Sequence, residues 1–178
     1  NQLKVLVFSA AFGNGHKRAA EAVIEEIHRR NPGAAVTHLD FGDVLSKRFN
    51  AMAKKLYVEL IKHSPKLWGK FYYQTSKLSP NSRIQGFLNQ LGRSDFLKYI
   101  KELNPDLIVC TYPSVASILG ELRLERILQV PLVTIVTDYT VHNHWLHSGV
   151  DLYLAACEEV KDMLVKGGIL PGRICVTG

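Results

Sequence analysis

No apolar run in this sequence approaches the roughly 18 to 20 residues that a membrane-spanning helix needs, so nothing in it is expected to cross a bilayer. Cysteine is scarce: Cys110, Cys157 and Cys175 are far apart and form no CxxC pair, which argues against both a disulfide framework and a zinc knuckle and fits a reducing cytosol. An export signal is missing too, because Asn1-Gln2-Leu3-Lys4 leads directly into Val5-Leu6-Val7-Phe8, too short and strand-like for the apolar core of a signal peptide. Repeats, low-complexity tracts and interdomain linkers are also wanting. With 178 residues, 47% apolar and 21% charged, the chain can bury a real core, and one domain is expected. The lack of an initiator Met and the end at Gly178, just after an apolar stretch, lead us to expect that more protein follows.

Acid is nearly absent from residues 44–93. Ten basic residues there (Lys47, Arg48, Lys54, Lys55, Lys62, Lys66, Lys70, Lys77, Arg83 and Arg93) face one acid, Glu59, a balance of +9. The whole chain carries +6, so the remainder is slightly acidic and the basic character belongs to this one segment.

Residues 3–9 form a short continuous apolar run closed by a glycine-containing loop, the pattern of a strand buried on both faces. A helix follows from Lys17, with Ala20, Val23, Ile24 and Ile27 at spacings of three and four, and Asn31-Pro32-Gly33 stops it. Further strands are predicted at 35–39, 106–110, 131–136, 152–155 and 173–176, with helices at 114–128 and 158–166. Strands alternating with helices imply an α/β fold, a Rossmann-like doubly wound parallel sheet with ligands at the carboxyl ends of its strands. Residues 44–103 break that rhythm. Interrupted by Pro65 and Pro80, they read as several helices inserted between the second and third strands.

The loop Ser9-Ala10-Ala11-Phe12-Gly13-Asn14-Gly15-His16 stands between the first strand and helix, where backbone N–H groups and the positive helix end suit a phosphate. Arg18 occupies the place of a third fingerprint glycine and no Gly-Lys-Ser/Thr follows, so neither the dinucleotide fingerprint nor a P-loop is complete and no NAD or ATP site is expected. Gly13, Asn14 and Gly15 are therefore candidates for a donor phosphate or sugar. His16, at the helix start, has the position of a neutral, proton-accepting imidazole. Its alternative is a side chain that merely caps the turn.

Residues 134–147 begin in a strand and leave its carboxyl end. Asp138 is the first charge beyond that strand and is placed to orient a base, to serve as one, or to cap the next turn. If residues 142–147 are extended, as expected here, alternate residues of His142-x-His144-x-x-His147 point the same way and imidazole suits zinc, but with no HExxH helix or cysteine cluster we expect no metal. A surface that hydrogen-bonds hydroxyls or a lipid head group is the simpler reading, with Tyr139 and His142 contributing and Trp145 as an interfacial ring. Tyr112, Pro113 and Ser114, after the third strand, make a third loop on the same edge; its plain reading is a turn with a helix N-cap at Ser114. In the basic insertion, Lys54, Lys55, Lys62 and Lys66 stand among aromatics such as Trp68, a mixture suited to anionic lipid heads. No RRM, KH, helix-turn-helix or zinc-finger pattern points to nucleic acid.

Taken together these residues resemble the amino-terminal domain of the monogalactosyldiacylglycerol synthase and processive diacylglycerol glucosyltransferase family, within glycosyltransferase family 28. The resemblance spans the chain. It is carried by Phe12-Gly13-Asn14-Gly15-His16 with Ala19-Ala20-Glu21-Ala22, by Asn104-Pro105-Asp106-Leu107-Ile108 with Thr111-Tyr112-Pro113, by Val136-Thr137-Asp138-Tyr139 with His142 and Trp145-x-His147, and by Val176-Thr177-Gly178. It implies the acceptor-side, membrane-binding half of an inverting GT-B enzyme that moves a hexose from a UDP-sugar to diacylglycerol. A second Rossmann-like half, beyond this chain, would hold UDP-glucose or UDP-galactose as co-substrate, with no cofactor or metal. His16 matches the position usually given the base, and Trp145 one associated with lipid head groups. Asn14 stands where plant members carry the middle of three glycines, which leaves the donor sugar open. The resemblance further implies a cytoplasmic protein, peripheral on the inner face of a bacterial cell membrane. Two other classes stay open: a GT-B transferase acting on another lipid-linked acceptor such as a peptidoglycan precursor, and a non-catalytic membrane-binding module.

Overall fold

The computed structural model describes residues 2–11, 14–44 and 83–178, with side chains in the last stretch from Arg93 onward. Among these residues the strands are β1 (Lys4–Ser9), β2 (Ala35–Asp40), β3 (Leu107–Cys110), β4 (Leu132–Ile135), β5 (Leu152–Ala155) and β6 (Ile174–Val176). All neighbours pair in parallel, in the order β2-β1-β3-β4-β5-β6. The helices are α1 (Asn14–Arg30), α2 (Phe41–Val44), α3 (Arg83–Leu103), α4 (Pro113–Leu124) and α5 (Glu158–Lys166). This is the doubly wound α/β sheet expected from the sequence.

Burial explains the arrangement. Val5, Leu6, Val7 and Phe8 of β1 are all buried, because the strand is covered on both faces. Val5 and Val7 meet Ala20, Val23, Ile24 and Ile27, the apolar stripe of α1. Leu6 and Phe8 face the opposite way, into the larger core with Phe96 and Ile100 of α3, Val115 to Leu122 of α4, and Val160 and Leu164 of α5. Each such buried side chain contributes about 1.5–3 kcal/mol. The chain leaves β1 for β2 in one direction and from β3 onward adds strands in the other, so the order reverses between β1 and β3. That switch point opens a crevice at the carboxyl edge.

Three local expectations need correction. Ser114 does not cap α4: Tyr112 is the N-cap, with extended backbone, and Pro113 is the first helical residue, where its missing N–H costs nothing. The same helix ends at Leu124 rather than 128, since Arg126 turns left-handed (φ 60°) and the N–H groups of Ile127 and Leu128 both fold back to the Leu122 carbonyl. Leu128 still reaches the core, which is why its apolar spacing looked helical. Residues 142–147 are not extended, because Asn143–Trp145 form a 3-10 turn. Of the insertion, α2 and α3 flank residues 45–82, which lie outside the described residues. The Gly42 N–H is held by the Asp40 carboxylate at 2.8 Å, which starts α2 directly at the end of β2.

Candidate functional site

The first turn of α1, which follows β1, and the loops leaving β3 and β4 at the carboxyl edge carry His16, Thr111-Tyr112 and Thr137-Asp138, and the fold brings these together although His16 stands 95 residues before Thr111 and 121 before Thr137. His16 is in the first turn of α1 and half-buried. Its Nδ1 lies 2.6 Å from the carbonyl of Thr111 and 2.9 Å from the hydroxyl of Thr137. The buried Thr111 hydroxyl in turn donates to the His16 carbonyl at 2.8 Å, which fastens the first turn of α1 to the end of β3. A carbonyl oxygen can only accept, so the neutral ring carries its proton on Nδ1, and the lone pair stands on Nε2. Tyr112 packs edge-on against the imidazole with ring centroids 5.1 Å apart. A base held in one tautomer by an orienting partner is the arrangement proton abstraction requires.

Asp138, three residues past β4, accepts a hydrogen bond from the indole N–H of Trp145 at 2.9 Å. The expectation of Trp145 as an interfacial ring is corrected here: the side chain is fully buried in the core. The 3-10 turn swings it inward, and the hydroxyl of Tyr153 on β5 donates to the Trp145 carbonyl at 2.6 Å to hold it. The indole also stands beside His16, with ring centroids 6.4 Å apart.

Among the other candidates, Tyr139 is 77% exposed beside Asp138, and His142 caps the 3-10 turn. Pro113 and Ser114 are half-buried in the first turn of α4. His147, the third imidazole of the histidine pattern, is buried; its Nε2–H donates to the His144 carbonyl at 2.6 Å, and burial pushes its pKa down to about 4. Among the described residues no three His, Cys, Asp or Glu side chains stand together as a metal site. Asn14 and Gly15 are exposed at the start of α1, while Gly13 lies outside the described residues, as do Lys54, Lys55, Lys62, Lys66 and Trp68.

A cleft of about 210 Å³ opens at this edge between Gly15 and Ala19 of α1, residues 135–139 at and beyond the end of β4, residues 154–156 at and beyond the end of β5, and Thr177-Gly178 after β6. Its walls are mainly small and apolar, with Thr137, Asp138, Tyr139 and Thr177 bringing polar groups to it. Asp138 therefore faces two ways, towards the cleft and towards Trp145. Sequence reasoning missed Thr111 and Thr137 as the partners of His16. Thr137 had a signal, its place directly before Asp138, but the Thr111 partner is a main-chain carbonyl that side-chain chemistry cannot announce.

Comparison with known proteins bears on this geometry. A family model described as monogalactosyldiacylglycerol (MGDG) synthase matches residues 16–178. The chain belongs to the MGDG synthase family. Its relatives include the processive diacylglycerol beta-glucosyltransferase of Bacillus cytotoxicus, 27% identical over 175 residues, and that of Staphylococcus epidermidis, 27% identical over 177 residues; each alignment covers 98% of this chain and 44% of the relative. The chain thus spans less than half the length of the curated relatives it matches. A solved structure of the lipopolysaccharide outer core galactosyltransferase WaaB in its apo form superposes with a TM-score of 0.60 at 15% identity, over 98% of this chain and 45% of the other. At that identity the likeness concerns the fold alone, and it bears out the Rossmann-like α/β architecture. His16 is the first residue of the family match, and the match runs through Tyr112, Asp138 and Trp145.

Proposed function

We propose that this MGDG synthase family chain is the acceptor- and membrane-binding half of an inverting GT-B glycosyltransferase that moves a hexose from a UDP-sugar to diacylglycerol. The observation that carries the reading is the His16 imidazole, fixed by the Thr111 carbonyl with its lone pair on Nε2, on the edge where Asp138 borders an apolar cleft. An acceptor with one free hydroxyl on an apolar body suits such a cleft. His16 Nε2 takes the proton of that hydroxyl, the oxygen forms a bond to the anomeric carbon, and the bond from that carbon to UDP breaks with its electron pair leaving on the phosphate. Inversion follows from the single in-line displacement. The donor is held by a second Rossmann-like half, and the sequence Gly13-Asn14-Gly15 serves its phosphate or sugar from this side. The basic insertion, with Lys54, Lys55, Lys62, Lys66 and Trp68, supplies the contact with an anionic bilayer on the cytoplasmic face. Tyr112, Tyr139 and His142 border the acceptor head group. No nucleic acid and no cofactor take part.

The test is transfer by the full-length protein to diacylglycerol in vesicles, supplied with UDP-glucose or UDP-galactose. Glycolipid product is expected from one of the two donors. His16→Ala is expected to lower kcat by about a hundredfold or more, the range of general-base catalysis, with a smaller effect on KM. A folded His16→Ala protein that retains near wild-type kcat, while Asp138→Asn abolishes turnover, would transfer the role of base to Asp138. Product formed only on a peptidoglycan lipid precursor would reassign the acceptor.

A further inference from the structure

We propose that Trp145 is a positioning residue, a buried spacer that sets the Asp138 carboxylate at the cleft and shelves the His16 ring, rather than a contact for the lipid. This rests on the reading of Asp138 as part of the acceptor site. Three observations point the same way. The indole is fully buried, so no ligand reaches it without the core opening. Its one polar atom is committed, because Nε1–H donates to Asp138 Oδ2 at 2.9 Å, and a hydrogen bond to a carboxylate is among the stronger and more directional kinds. Its ring is also beside His16, at 6.4 Å between centroids.

The indole is itself held from below. Its carbonyl accepts from the Tyr153 hydroxyl at 2.6 Å, that hydroxyl accepts from the His147 N–H at 2.9 Å, and the Trp145 N–H closes the 3-10 turn on the His142 carbonyl at 2.9 Å. Tyr153 is a fully buried residue of β5, so the chain of contacts runs from the rigid sheet through Trp145 to Asp138. Asp138 sits on a loop, three residues beyond the end of β4, where its own backbone fixes it less well. A displacement of about 1 Å at a reacting group can cost a hundredfold in rate, and the indole N–H is what opposes such a displacement.

Trp145→Phe retains an aromatic ring beside His16 and removes only the N–H donor and part of the volume. In the full-length protein it is expected to lower kcat about tenfold or more with KM within about twofold, thermal melting showing the fold intact. Combined with Asp138→Asn it is expected to cause no further loss, since the indole N–H acts only through the carboxylate that this change removes. Tyr153→Phe, which preserves shape, should show the same dependence on Asp138 and replaces Trp145→Phe if that variant does not fold. Wild-type kcat in folded Trp145→Phe, or losses that multiply with that of Asp138→Asn, would overturn the proposal. One readout is independent of turnover. In protein labelled with nitrogen-15 tryptophan, the indole resonance that vanishes in Trp145→Phe is expected to shift in Asp138→Asn, and an unmoved resonance would overturn the placement. Absence of transfer by the wild type refutes the proposed function instead, and leaves that resonance to decide the contact.

Discussion

His147 shows how a single residue acquires a role from its surroundings rather than its type. As the last imidazole of His142-x-His144-x-x-His147 it looked like a surface group, yet the fold buries it and gives its Nε2–H to the His144 carbonyl. Desolvation favours the neutral ring, so the folded-state pKa falls to about 4, below the ordinary value of 6.5. Between those values the unfolded chain binds a proton that the folded chain does not. Stability from this group is therefore fully present above pH 6.5 and is lost as the pH falls towards 4, by roughly 3 kcal/mol. Urea unfolding at pH 7, 5 and 4 should show that loss, and His147→Gln, which cannot titrate, should flatten the pH dependence by about one proton. An unchanged slope in the variant would mean that His147 is not the group responsible. His16 makes the opposite case: a main-chain carbonyl at the end of β3 fixes which nitrogen holds the proton, and a histidine of the first turn of α1 thereby becomes a candidate base.

At the scale of elements, the docking of α4 on the segment before β5 sets where Trp145 and His147 sit. The two backbones touch at glycines, since a Cβ on Gly149 would stand 2.0 Å from the Gly120 carbonyl oxygen. No rotamer change relieves a clash with main chain, so Gly149→Ala must push α4 away from the loop. Overpacking of this kind typically costs about 1–3 kcal/mol. A lowered denaturation midpoint is expected, accompanied by reduced turnover in the full-length protein because the loop carries Trp145 with it. Gly167→Ala is the control: the nearest atoms its Cβ would meet belong to the Leu146 side chain, which can turn aside, and a smaller loss should result. Equal losses at both positions would show that the backbone contact is not what binds these elements. The elements themselves were largely legible, because apolar runs of four to six residues and a spacing of three to four report directly on strands and helices. The end of α4 was not, since Leu128 stays buried after the backbone has left the helix.

For the molecule as a whole, charge separates one segment from the rest. The +9 balance of residues 44–93 sits in a chain whose described helices include none long and apolar enough to cross a membrane. Attachment through that segment would be electrostatic, at about 1 kcal/mol per basic residue near an anionic surface, and weakened by salt. Sedimentation of the full-length protein with vesicles rich in anionic lipid is expected to fall as salt rises, and to fall further when Lys54, Lys55, Lys62 and Lys66 are changed to Glu. Undiminished binding by that variant would move the membrane surface elsewhere on the protein.

The order of strands and helices, the glycine loop with His16, and the Asp138 block were all determined by the sequence alone, because periodicity and local chemistry are properties of neighbouring residues. Only the tertiary structure decided which partners those residues meet. The Thr111 carbonyl at His16, the indole of Trp145 at Asp138 and the burial of His147 arise from contacts between separate loops and from the turn at residues 143–145. Main-chain acceptors leave no mark on the residue type that supplies them. A tryptophan reads the same in sequence whether it faces lipid or core, and which way its ring turns is set by the packing around it.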